Sequence, residues 1–229
     1  MKDGNMARMQ VIGAALALAT LAACGGEAVR SAVTAPTMIP DAKPGLGGRV
    51  LAALPGGRKT APAMEWTSQD GSDEWTRATL AALESEGVTL LSTIPSDVIQ
   101  YCPSYAKQNR ENRANFWAGF LSSVAKQQSG LNPAAKGGQD SMGLMLITPA
   151  AAVVHGCGGS MLDGSSNMAC AVRILAKSVV ADGAIHGGDD QQAEPKRGWR
   201  GVARDWMPLR SKAKRAEIAN FTKKQSYCQ

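Results

Sequence analysis

The chain has 229 residues, enough for one ordinary domain with a tail but not for two full-sized ones. It carries 25 Lys and Arg against 19 Asp and Glu, a formal net charge of +6, and only two His. That moderate balance, with no helix-turn-helix, zinc-finger or RNA-binding pattern, argues against nucleic acid; an anionic polymer or membrane surface remains as the charged partner.

At the N-terminus, Lys2 and Arg8 precede an apolar run from Val11 to Ala23. The run is too short to span a bilayer as a stable helix and has the form of a secretory signal. It ends in Leu21-Ala22-Ala23-Cys24, which resembles the lipobox of bacterial lipoproteins. That resemblance implies cleavage after residue 23, acylation of Cys24 and a periplasmic protein held at the outer or inner membrane through that lipid. Gly25, rather than Asp, at the next position gives no sign of retention at the inner membrane.

Residues 24–63 are rich in Ala, Gly, Pro and Thr, with Pro36, Pro40, Pro44, Pro55 and Pro62 spaced through them. Such a composition buries too little apolar surface to order itself and reads as a flexible tether. Residues 64–94 read as a helical extension. Ser72 or Asp73 caps a helix to about Glu86, with Trp75, Thr79 and Leu83 on one side and Gly87 as the stop. Val88 to Ile94 reads as an extended connector, with a strand as the alternative, and Pro95-Ser96-Asp97 as a new helix start.

The best-patterned helix runs from about Gln108 to Gln128. Trp117, Phe120, Leu121, Val124 and Gln128 recur at helical spacing and predict one buried stripe. Pro149 to His155 predicts a short helix, and Asn167 to about Val180 another that buries Met168, Val172, Leu175 and Val179. Ser211 caps a last helix through Phe221. Long helices without convincing strands predict a mainly α domain over 95–229.

With Cys24 set aside, Cys102, Cys157, Cys170 and Cys228 remain, an even number in an exported chain with three connectivities. The favoured pairing is Cys157–Cys170 as a local clip and Cys102–Cys228 as a staple between the ends of the domain. The spacings do not suit a metal site, so no metal and no cofactor are expected. The basic run Lys196, Arg197, Arg200, Arg204, Arg210, Lys212, Lys214 and Arg215 reads as a solvated face or as a surface for an anionic envelope polymer.

Two segments carry the chemistry. Lys126-Gln127-Gln128-Ser129-Gly130-Leu131-Asn132-Pro133 is followed by Gly143-Leu144-Met145-Leu146-Ile147-Thr148-Pro149. The pair resembles the motifs E-S-G-x-N-P and G-L-M-Q-x-x-P of the soluble lytic transglycosylase (SLT) domain, a branch of the lysozyme-like superfamily. Asn167-Met168, Ser141, Tyr101-Cys102-Pro103-Ser104-Tyr105, Gly198-Trp199-Arg200-Gly201 and Tyr227-Cys228 extend the likeness over roughly 95–228.

The resemblance implies a lysozyme-like, goose-type or lytic transglycosylase helical fold and a peptidoglycan glycan strand as ligand. It implies glycan contact at Ser129, Ser141, Gly143, Leu144, Met145, Leu146 and Asn167. The family's catalytic Glu, which protonates the glycosidic oxygen between N-acetylmuramic acid and N-acetylglucosamine, falls on Gln128. An amide has no proton to give and cannot act as a general acid. Leu146 stands where the family has Gln, and Asp205 where a Tyr is expected.

Three departures in one cleft point to a pseudoenzyme that binds glycan without cutting it. The alternative is an active transglycosylase or lysozyme with a displaced acid, Asp140 or Asp205. A third reading is an envelope protein whose fold now binds another protein. Phe116, Trp117 and Phe120 read as core and His155 as a helix end, with Trp199 and Trp206 as further candidates for sugar contact.

Overall fold

The computed structural model describes residues 62–187 and 198–229. The expected signal peptide, Cys24, all but the end of the tether, and Lys196 and Arg197 lie outside them. In chain order the described α-helices are α1 (Ser72–Ser85), α2 (Val88–Ser92), α3 (Arg110–Ser129), α4 (Pro149–Val154), α5 (Gly164–Asp182) and α6 (Lys212–Lys223). Short 3-10 turns join them, and the only strand-like pairings among the described residues are two isolated bridges, Lys136 with Met142 and Met142 with Ile147.

Local chemistry sets the helix ends. The Asn109 side chain accepts from the Asn112 N–H at the start of α3, and Gly130 closes its other end in the left-handed conformation. Thr148, Asp163 and Ser211 cap α4, α5 and α6 in the same way. The expectation for Val88–Ile94 is corrected: Val88–Ser92 is a short helix, and only the residues after it are extended. Leu90 and Leu91 lie on its buried side, so packing decides the conformation where local preference is weak. Pro95-Ser96-Asp97 starts only a 3-10 turn, Val98–Gln100.

α3 is the spine of the core. Every residue from Phe116 to Ala125 is buried, so the helix is enclosed on all sides rather than along the single expected stripe. Ala118, Gly119, Ser122 and Ser123 are small enough to let neighbouring elements approach; the Ser122 hydroxyl accepts from the Glu65 N–H and donates to the Gly119 carbonyl. α6 packs along α3 and α1 along α5. Gly164 makes the α1–α5 approach close: a Cβ there would lie 2.2 Å from Trp75 Nε1. Residues 64–94 thus belong to the same core, with Trp66 fully buried edge-on to Trp75.

An aromatic cluster of Tyr101, Tyr105, Phe116, Trp117 and Phe120 fills one end, with Trp117 Nε1 donating to the Tyr105 hydroxyl at 2.8 Å. The expected disulfides are both formed. Cys102–Cys228 closes a separation of 126 residues and Cys157–Cys170 one of 13. Thr222 donates to the Tyr101 carbonyl at 2.7 Å beside the longer bridge.

Candidate functional site

The last turn of α3 brings Gln128 to the surface of the core, where it is half-buried. Its Nε2 donates to the Met145 carbonyl at 3.2 Å, joining the helix end to the loop 131–148. That loop is tightly specified. Met142 and Ile147 exchange backbone hydrogen bonds at 3.0 Å, and the Gly143 N–H donates to Ala135 at 2.9 Å. Gly143 has a φ of +80°, and a Cβ on it would lie 2.1 Å from the Met161 carbonyl. Only glycine fits there.

Asn167 holds the loop from below. Its Oδ1 accepts from the Met145 N–H, and its Nδ2 donates to the carbonyls of Met142 and Met161, all at 2.9 Å. Leu144, Met145 and Asn167 are fully buried and Gly143 and Ser141 nearly so. The side chains of Leu144, Met145 and Asn167 are therefore packed beneath the loop and support it from the core side. Ser129 is half-buried, with its hydroxyl donating back to Ala125, and Leu146 is half-buried at a φ of +46°.

Leu131, Gln139, Asp140 and Leu146 are the described non-glycine residues with positive φ. All four lie in this one loop. Backbone held in that region costs about 1–3 kcal/mol per residue and collects at functional sites.

Leu146 opens onto a cleft of about 170 Å³ shared with Gln139, Thr148, Arg204, Asp205 and Trp206. Asp205 is the one expected acid that the structure places there. Ser178 Oγ donates to its Oδ2 at 3.1 Å. Burial of part of the carboxyl raises its pKa, against the Ser178 hydrogen bond and the charges of His155, Arg204 and Arg210. His155 ends α4, as expected, and burial lowers its pKa while Asp205 opposes the shift. Asp140 is exposed in the turn Gly138–Asp140 and does not line this cleft.

Trp206 is only 1% exposed, so it belongs to the core and offers no sugar platform. Trp199 is half-buried with the Arg210 guanidinium 5.6 Å over its ring. A second groove of about 280 Å³ lies between α3 and α6, lined by Glu65, Lys126, Gln127, Glu217 and Lys224 among others. Its charges are largely satisfied within it, Lys126 pairing with Glu65 at 2.7 Å and Gln127 donating to Glu217 at 2.5 Å. Gln128 lines neither opening directly; it touches the smaller one through the Met145–Leu146 peptide. Gln139 is the cleft residue that motif reading misses, since it falls in an aperiodic loop between the two motifs. Among the described residues no cluster of His, Cys, Asp and Glu is placed to hold a metal ion.

Residues 105–180 match the family model "Transglycosylase SLT domain", a span that contains Gln128, the strained loop and Asn167. Solved structures titled "Bd0314 DslA" share 28% identity over 75% of this chain and 100% of theirs, with TM-scores of 0.64 and 0.65. They comprise a wild-type form and two variants in which a Glu is replaced by Gln, at positions eleven residues apart in that chain. No curated protein matches the chain. The helical body is thus of the SLT, lysozyme-like type, and the polymer it is concerned with is peptidoglycan.

Proposed function

On the premise that residues 105–180 are a transglycosylase SLT domain, we propose that the protein is an exported, lipid-anchored glycan holder that grips peptidoglycan strands without cutting them. One observation carries the reading: at the place of the family's acid, the Gln128 amide donates its N–H to the Met145 carbonyl. A carboxyl acting as general acid must exchange a proton near working pH, and its removal forfeits about 10²- to 10⁴-fold in rate. The amide keeps the hydrogen bond and gives up the proton.

The loop beside it is firmly held. Asn167, Gly143 and the strained turn hold Met145 and Leu146 in place, so glycan has a shaped surface to dock on. Cys24 and the tether supply attachment and reach from the membrane, and the basic residues near the C-terminus favour an anionic wall polymer.

A second reading has one observation in its favour. Asp205 lines the cleft, and burial raises its pKa towards that of a working acid. If it serves as a displaced acid, the wild-type protein releases glycan fragments and Asp205→Asn stops the release.

Both readings are tested by incubating the purified protein with sacculi and following pelleting and released muropeptides in parallel. The glycan-holder reading expects pelleting with no release above background. Fragments that disappear in Asp205→Asn would replace it with the second reading, and failure to pellet would leave the cleft to a protein partner.

A further inference from the structure

The groove between α3 and α6 is built from two helical faces that the glycan reading leaves unused. Ser123, Lys126 and Gln127 line it from α3, and Glu217, Asn220, Phe221 and the C-cap Lys224 from α6. Both sets recur at helical spacing, so each helix presents one continuous edge. Ser123 is only 2% exposed, yet among the described residues its hydroxyl has no hydrogen-bond partner. Ser122 and Ser129 of the same helix both donate to backbone carbonyls. A nearly buried hydroxyl left open towards a groove costs stability until a ligand completes it.

The charges of the groove are polarised. Lys126 pairs with Glu65, and Gln127 donates to Glu217 Oε2, which leaves Glu217 Oε1 as an acceptor for a cation. On the same edge of α6, the Asn220 amide and the Lys224 ammonium have no side-chain partner among the described residues and offer donors to an anion. Glu217 and Asn220 stand one turn apart, about 5 Å along the axis, which suits an ammonium and a carboxylate borne on one carbon. Phe221 lies against α3 at Gly119, where a Cβ would be 3.6 Å from its ring, and gives the groove an apolar floor.

We propose that this groove binds the free α-amino-acid end of a peptidoglycan peptide stem, with its ammonium at Glu217, its carboxylate at Asn220 and Lys224, and its methylenes over Phe221. The inference takes from the SLT reading only the identity of the polymer and does not depend on whether the protein cuts it. The groove volume of about 280 Å³ holds an amino-acid end rather than a disaccharide. A stem whose diamino acid is not cross-linked presents such an end. Gln127 lines the groove and Gln128, the next residue, meets the Met145 carbonyl, so the last turn of α3 serves both the stem site and the loop. Holding one strand by sugar and by stem raises retention beyond either contact alone and favours strands with free stems.

The experiment titrates the full-length protein, by NMR, with a soluble disaccharide-tetrapeptide bearing diaminopimelate. The same compound acetylated on its free amine, free lysine and a stem-free N-acetylglucosamine oligomer are the comparison probes. The disaccharide-tetrapeptide should shift the amides of 123–127 and 217–224, and the oligomer should leave them still. Acetylation, Glu217→Gln and Lys224→Gln should each weaken its binding about fivefold or more. Both substituted residues are exposed, so the two variants should melt with wild type. Ser123→Ala should also bind less well while melting no lower than wild type. Groove amides that stay still, or an affinity indifferent to acetylation and to Lys224→Gln, would overturn the stem site while leaving glycan holding, read from the oligomer, intact. Free lysine binding as tightly as the disaccharide-tetrapeptide would overturn it in favour of a site for free amino acids. An oligomer that shifts nothing around Met145 while the disaccharide-tetrapeptide still fills the groove would remove the glycan-holder reading and uphold the stem site.

Discussion

Two polar clusters of this domain treat a carboxylate position in opposite ways. Around Asp97 the charge is kept and enclosed: its carboxylate accepts from the backbone N–H groups of Ile185, His186 and Gly187 and lies 2.9 Å from His186 Nδ1. Burial pushes its pKa up, but the His186 hydrogen bond and the Ile185 and His186 N–H groups outweigh it and hold it at about 2. At Gln128 the side-chain amide donates to an acceptor, the Met145 carbonyl. A carboxylate there would face another oxygen and would be driven towards its protonated form, which suits a catalytic acid and nothing else. Converging donors keep a charge, whereas a converging acceptor favours an amide once catalysis is not required.

The sharpest way to break the comparison is at the donor-rich cluster. Asp97→Ala should cost about 3–5 kcal/mol, because it strands the buried N–H groups of Ile185 and His186 and takes the carboxylate away from His186 Nδ1. Urea unfolding would measure it, and a loss below 1 kcal/mol would show that this cluster does not hold the 185–187 segment. The wild-type carboxylate also sets a pH dependence. Its folded pKa lies below the unfolded value, so its stabilisation is complete above about pH 4 and is lost as pH falls through 2. The size is about 2 kcal/mol. Asp97→Asn should flatten that acid limb.

Gln128→Glu should show the reverse slope. Burial beside the Met145 carbonyl raises the new carboxyl's pKa, so the variant should lose about 1–3 kcal/mol at neutral pH and regain it as pH falls below the unfolded value near 4. Thermal melts across pH 3–8 separate the two behaviours, and parallel slopes would contradict the donor-versus-acceptor account. Adding Leu146→Gln should relieve part of the loss and raise any activity above that of Gln128→Glu alone, since the two positions couple through the Met145–Leu146 peptide. The smallest effect is expected at Asp140. Exposed and outside the cleft, Asp140→Asn should change stability by less than about 0.5 kcal/mol and glycan retention not at all.

Much of the scaffold was legible in the chain. Ser211 announces α6 because a short polar side chain before an apolar period is a local signal, whereas α1 starts after Gly71 with no side-chain cap from Ser72 or Asp73. The even cysteine count announced two disulfides with three possible connectivities, and the pairing favoured from the cysteines' placement is the one formed. α2 was not legible: five residues rich in β-branched and aliphatic side chains have no helical period, and only burial of Leu90 and Leu91 makes them helical. The first turn of α5 was missed for a related reason. Gly164 is a poor helix former, retained where Trp75 leaves no room for a Cβ. The enclosure of α3 escaped periodicity because Gly119, Ser122 and Ser123 read as polar or neutral while close packing buries them.

At the site, motif likeness placed Gln128, Gly143 and Asn167 but not their roles. Contact with ligand and support of the cleft wall look alike in a sequence, and only burial separates Leu146 from Leu144 and Met145. Gln139 had no signal in the sequence, since left-handed backbone at a non-glycine residue is set by the loop as a whole.

The most direct test of the central claim is an NMR titration of the wild-type protein with a soluble N-acetylglucosamine oligomer, followed over hours. The account predicts that the Gln128 side-chain amide and the Met145 and Leu146 backbone amides shift while the oligomer stays intact. Shifts confined to the α3–α6 groove around Glu65 and Glu217, or progressive cleavage of the oligomer, would contradict it.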